Sequence, residues 1–137
     1  MVTFVPAFVS RAASEYSTLE NAQEKKYTAE LNSPAAAAIA MAEWRKTNPM
    51  PRASISDVAD HIDHIKQVAG IDHIGLGGDL DGITYVVQGL EDVSKYPYLI
   101  RELLRRGYSD EDIVKITHHN ILRVLRAAEQ VSRTLNR

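Results

Sequence analysis

The residues of this sequence most able to do chemistry stand together in Gly75-Leu-Gly-Gly-Asp-Leu-Asp-Gly82. Glycines permit strained turns and let a ligand come close to the backbone. Two carboxylates, Asp79 and Asp81, follow directly on a run of β-forming residues. A carboxylate in such a place can hold a substrate ammonium group or accept a proton from a polarised water. The same residues also suit a tight turn in which each aspartate hydrogen-bonds its own backbone. Pattern alone leaves both readings open. Two known motifs come close and fail. Gly75, Gly77 and Gly78 do not make the G-x-G-x-x-G fingerprint of dinucleotide folds. Asp79-x-Asp81-Gly82 begins like a calcium loop, but no glutamate follows at the required distance.

Histidines offer a second route. His61-Ile-Asp63-His64 contains a His-x-Asp pair, which on a strand would present both side chains to one divalent cation. Here the pair lies in a helical pattern, where residues two apart point about 200° apart. His61 flanks the apolar face and is expected to pack there. His73 precedes the glycine turn and is read as structural. His118 and His119 are adjacent in a helical pattern, so their rings are expected to diverge, not to share a metal. No metal ligand is therefore assigned within the sequence. Arg101, Arg105, Arg106 and Arg123 fall opposite leucines on helical faces and are read as solvated.

The elements that must position Asp79 follow from periodicity and punctuation. Met1 to Val5 is rich in β-formers and ends at Pro6, as a strand buried on both faces would. Ser10 to Ser33 is polar and weakly periodic, and reads as a loop plus a solvated helix. Pro34 suits a first helical turn before the alanine-rich run to Trp44. Ser54 and Asp57 have capping-box spacing ahead of the apolar face Val58, Ile62, Ile65 and Val68, and Gly70 suits the position past the helix end. Ile71 to Asp79 then reads as a strand running into the glycine turn. Two helices close the chain: Ser94 to Arg106, stopped by Gly107, and one begun by Ser109 and Asp112, with Asn120 a candidate break. Helix, turn, strand and loop in that order indicate an α/β unit.

Composition narrows the class. The chain has 137 residues, 45% hydrophobic and 25% charged, with 16 Lys+Arg against 18 Asp+Glu and no cysteine. That is one ordinary domain's worth of chain, too short for a complete (β/α)8 barrel of about 250 residues. Absence of a basic excess argues against nucleic acid. Absence of cysteine removes disulfides, thiolate zinc sites and cysteine nucleophiles. No apolar run reaches the about 20 residues of a membrane span.

At this point a resemblance becomes specific. Val58-Ala-Asp-His-Ile-Asp-His-Ile-Lys-Gln-Val-Ala-Gly-Ile-Asp-His-Ile-Gly-Leu-Gly-Gly-Asp-Leu-Asp-Gly82 resembles the C-terminal signature of the membrane (renal) dipeptidase family. Gly89-Leu-Glu-Asp-Val-Ser-Lys-Tyr-Pro97, Leu103-Leu-Arg-Arg-Gly-Tyr-Ser109 and Asn120-Ile-Leu-Arg-Val124 are similar to its following segments. Met1-Val-Thr-Phe-Val-Pro-Ala-Phe-Val-Ser10 is similar to its penultimate barrel strand and the loop after it. The resemblance implies an α/β fold, the C-terminal part of a (β/α)8 TIM-type barrel. Residues 1–137 would supply about its last two strands with their helices, incomplete on their own. It also implies a metallo-dipeptidase with a binuclear zinc site. The family's zinc ligands are a His-x-Asp pair, a bridging glutamate and two histidines. All would precede Met1, so this chain supplies none and is expected to be inactive when isolated. What carries over is Asp79, at the end of the last strand, as the contact to the substrate amino group and the catalytic water. Asp81 is the weaker substrate-binding candidate. The expected partners are a dipeptide and the N-terminal barrel half, with a homodimer by analogy. A soluble protein of the bacterial cytoplasmic or periplasmic type is expected. A non-catalytic half-barrel or structural subunit that needs a partner chain is the alternative. His118-His119 and Ile83 to Gln88 depart from the family pattern.

Overall fold

Proline and glycine mark where this chain can and cannot be helical. The structure, a computed structural model, describes residues 1–135. Pro6 opens a single turn, α1 (Pro6–Val9). Next comes α2 (Arg11–Leu31), one uninterrupted helix of 21 residues where a loop and a helix were expected. Its sequence contains neither proline nor glycine, and Asn32 ends it at a left-handed φ of 47°. Local propensity therefore carries a helix whose apolar periodicity is weak. A helical hairpin is completed by α3 (Pro34–Thr47), with Pro34 in its first turn and Ser33 capping the Ala36 amide.

The expected capping box begins α4 (Ile55–Ala69): the Ser54 amide and hydroxyl both donate to Asp57 Oδ2 at 2.7 Å. Gly70 turns the chain out of α4 at φ 88°. A 3₁₀ turn over Val93–Lys95 leads into α5 (Tyr96–Arg105). Past Gly107, a second capping box, Ser109 with Asp112, begins α6 (Asp110–Val114). A π-turn over Lys115–His119 then joins it to α7 (Asn120–Leu135). The break expected at Asn120 takes the form of this π-turn just before it, and the chain stays helical through it. The wider turn delivers the Asn120 side chain inward, where Nδ2 donates to the carbonyls of Ile71 and Ile74, each at 2.8 Å.

The two expected strands are only partly realised. Ile71–His73 forms a 3₁₀ turn that takes up the exit from α4, so the extended run starts at Ile74. It pairs in parallel with the N-terminal run through one bridge, Val2 to Leu76. The Val2 amide donates to Gly75 O at 2.6 Å, and the Gly77 amide donates to Val2 O at 2.9 Å. A regular parallel ladder would next join Phe4 to Gly77 O. Phe4 donates to Gly78 O instead, at 3.4 Å. The register slips by one residue at the glycine pair, and the ladder stops. Among the described residues no strand longer than such a bridge forms.

The main core joins Val2 and Phe4 to Val58, Ala59 and Ile62 of α4, Leu99 and Leu103 of α5, Ile74 and Ile116. Arg106, read from sequence as solvated, is instead a half-buried hub whose side chain is 16% exposed. Its guanidinium donates to Glu102, Asp60, Asp63 and Ser56. Burial alone would lower its pKa, but those acids outweigh burial and raise it. Asp63 also accepts from Tyr108 at 2.7 Å; burial first, then this carboxylate, pushes the phenol well above its usual range.

Candidate active-site loop

Asp79 stands where the paired backbone ends. Just before it, Gly78 is enclosed: a Cβ there would lie 2.5 Å from the Tyr96 hydroxyl and 3.3 Å from the Phe4 ring. The Gly78 amide donates to that hydroxyl at 3.2 Å, and the Tyr96 and Phe4 rings meet at 5.2 Å. Glycine is required here for close approach, and the loop is thereby anchored from behind.

Asp79 itself adopts φ 53°, a left-handed conformation outside glycine that aspartate tolerates better than most residues. Its side chain is exposed, as is that of Asp81, and Gly82 reverses the chain at φ 81°. Among the described residues neither carboxylate makes a hydrogen bond or ion pair, so the backbone-bonded turn anticipated as one reading lacks its hydrogen bonds. Two unpaired anions at the tip of an anchored glycine turn can accept a cationic ligand or a proton.

The histidines do not join them. His61 is half-buried and His64 exposed on α4, while Asp63 is committed to Arg106 and Tyr108. His73 is exposed on the 3₁₀ turn. The His118 and His119 rings do not diverge as expected; their centroids lie 4.5 Å apart, because the π-turn reduces the angle between neighbouring side chains. Among the described residues no three His, Cys, Asp or Glu side chains gather into a cation site. These residues therefore do not fit a binuclear zinc centre.

Beyond Gly82 the chain lines a cavity of about 350 Å³ with Val5–Ala7, α2, α3 and Met50. Glu20 lies at its polar wall, accepting from Arg45 Nε at 2.6 Å and from the Tyr85 hydroxyl at 3.2 Å. Behind them Tyr16 packs on Trp44 and Tyr85, and burial pushes its phenol up to about 12. Sequence reasoning assigned nothing to Glu20, Arg45 or Tyr85. Their contacts join residues 25 and 65 positions apart, which no local spacing reveals.

No helix among the described residues is long and apolar enough to cross a membrane. Comparison with known proteins agrees on one family. Residues 1–137 match the membrane dipeptidase family, peptidase family M19. The chain is 50% identical over 93 residues to dipeptidase aclJ of Aspergillus oryzae, covering 68% of this chain and 22% of that protein. It is 44% identical over 94 residues to dipeptidase tcpJ of Claviceps purpurea, covering 69% and 22%. Among solved structures it is similar to the probable dipeptidase PvdM from Pseudomonas aeruginosa, with a TM-score of 0.56 and 33% identity over 66% of this chain and 23% of that one. The chain thus spans about a fifth of the length of the relatives it matches. On the match over its whole length, the chain belongs to the membrane dipeptidase family, peptidase family M19.

Proposed function

We propose that these residues form the C-terminal part of a dipeptidase barrel and that Asp79 is its contact to the substrate. The dipeptide's free ammonium group pairs with the Asp79 carboxylate, which also accepts a hydrogen bond from the attacking water. Asp81 has the lesser role of shaping the turn and adding negative charge. The observation that carries this reading is Asp79 itself: exposed, unpaired and held in a left-handed conformation directly after an anchored glycine. Strained backbone kept at the end of a fixed segment motivates a functional assignment. The parallel pairing of Val2 with Leu76 supports reading the two runs as neighbouring barrel strands, whose C-terminal ends face the pocket in that fold. Dependence on zinc belongs, in this reading, to residues outside the 137.

A non-catalytic subunit is the second reading, favoured by the lack of a cation cluster among the described residues. A chimera separates the two. The matching region of the Aspergillus oryzae dipeptidase is replaced by this chain, and dipeptide hydrolysis is measured with zinc supplied. Turnover by the chimera and none by the isolated chain is the expected result. A folded chimera without turnover would favour the non-catalytic subunit.

A further inference from the structure

We propose that the cavity between the Asp79 loop and the α2–α3 hairpin is a specificity pocket for one uncharged, apolar or aromatic side chain of the substrate. This deepens the reading of Asp79 and rests on it. Ile83 follows Asp79 by four residues, so its Cα lies within about 14 Å of it. The opposite wall is Val5–Ala7, which directly follows the segment paired to Leu76. The cavity therefore lies beside the loop that carries Asp79.

Size and charge give the chemical class. A volume of about 350 Å³ is at the small end for ligand sites and suits one side chain rather than a whole cofactor. Val5, Pro6, Met50 and Ile83 supply apolar wall. Charge in the cavity is already balanced: Glu20 accepts from both Arg45 and Tyr85. An ionised side chain entering would lose hydration and find no net countercharge. The Glu20–Arg45–Tyr85 contacts also tie the hairpin to the loop, so that specificity is set by a segment separate from Asp79.

The test uses the 137-residue chain and probes that need neither Asp79 nor zinc. N-acetyl-phenylalaninamide has no free ammonium or carboxylate, and its aspartate and lysine analogues differ from it in the side chain. Amide chemical shifts are followed by NMR during titration. The phenylalanine probe is expected to move Ser17, Thr84 and Tyr85, with the charged probes at least about tenfold weaker. Thr84→Trp, at an exposed loop residue, and Ser17→Trp, from the opposite wall, fill the cavity and should each abolish those shifts while helical circular dichroism is retained. Equal binding of the charged probes, or binding that survives both substitutions, overturns the proposal, as does a spectrum the phenylalanine probe leaves unmoved. Such a failure leaves the chimera result untouched, and an inactive chimera leaves these shifts untouched.

Discussion

The two sides of the Asp79 loop are built differently. Below it, α4, α5 and α6 share a common core and are cross-linked by Arg106, by Lys66 to Asp112 at 3.0 Å, and by Lys66 over the Tyr108 ring at 4.0 Å. Above it, α2 and α3 bury little beyond Ala13, Tyr16, Ala37 and Met41. That hairpin meets the loop through Tyr85's contacts with Glu20 and Tyr16. The ion pair that joins its two helices is Glu20 with Arg45, whose side chain is 44% exposed. Local stability follows buried contact, so the lower side is expected to act as the scaffold and the hairpin to open first. The anchored side fixes where Asp79 stands. The loosely held side can change what binds beside it at little cost to the fold.

Substitutions at the two ionic centres should expose this contrast. Arg106→Met leaves Asp60, Asp63 and Glu102 without their shared cation; with Asp60 and Asp63 partly screened by solvent, it should cost about 2 to 3 kcal/mol in chemical denaturation. Arg45→Met removes a half-exposed pair and should cost under about 1 kcal/mol. Equal losses would erase the distinction between scaffold and hairpin.

A smaller effect is expected at the loop's anchor. Gly78→Ala pushes a methyl against the Tyr96 hydroxyl and should cost about 2 kcal/mol. Adding Tyr96→Phe removes that oxygen, and the double variant should recover part of the loss, which a double-mutant cycle would reveal as coupling. Purely additive losses would mean that Tyr96 does not set the position of Gly78.

The scaffold side should also show the more acid-sensitive charge. Hydrogen bonds from Arg105 and Arg106 hold Glu102 down at about 2, against an ordinary value of 4.5. A carboxyl with a depressed folded pKa contributes stability that is present above its unfolded value and lost as pH falls through its folded one. Stability should therefore drop between about pH 4.5 and 2, and Glu102→Gln should flatten that part of the profile. An unchanged profile in the variant would remove Glu102 from the scaffold's charge network.

Legibility in the sequence follows the same division. Both capping boxes, the stop at Gly107 and the apolar face of α4 as far as Ile65 were readable because each is a local pattern of a few residues, whereas Val68, placed on the same face, is exposed. Asp79 and Asp81 were readable as carboxylates on a glycine turn, and the family resemblance singled out Asp79. The α2 helix was missed in part because its apolar positions lack a period. Arg106 was misread because two of its three acids, Asp60 and Asp63, lie 46 and 43 residues away, on α4. The strands were overextended because nothing in their composition marks the register slip at Gly78. The cavity wall at Glu20, Arg45 and Tyr85 exists only after folding has brought three distant segments together.

The most direct test of the account compares Asp79→Asn with Asp81→Asn in the chimera, by kcat/KM on one dipeptide. An amide keeps the size of the carboxylate but loses its charge and an accepting oxygen. Asp79→Asn should lower turnover by about 10²–10⁴-fold with fold and zinc content unchanged, and Asp81→Asn should do much less. A larger loss at Asp81 would reverse the two roles, and wild-type turnover in both variants would contradict the assignment of the glycine turn to the active site.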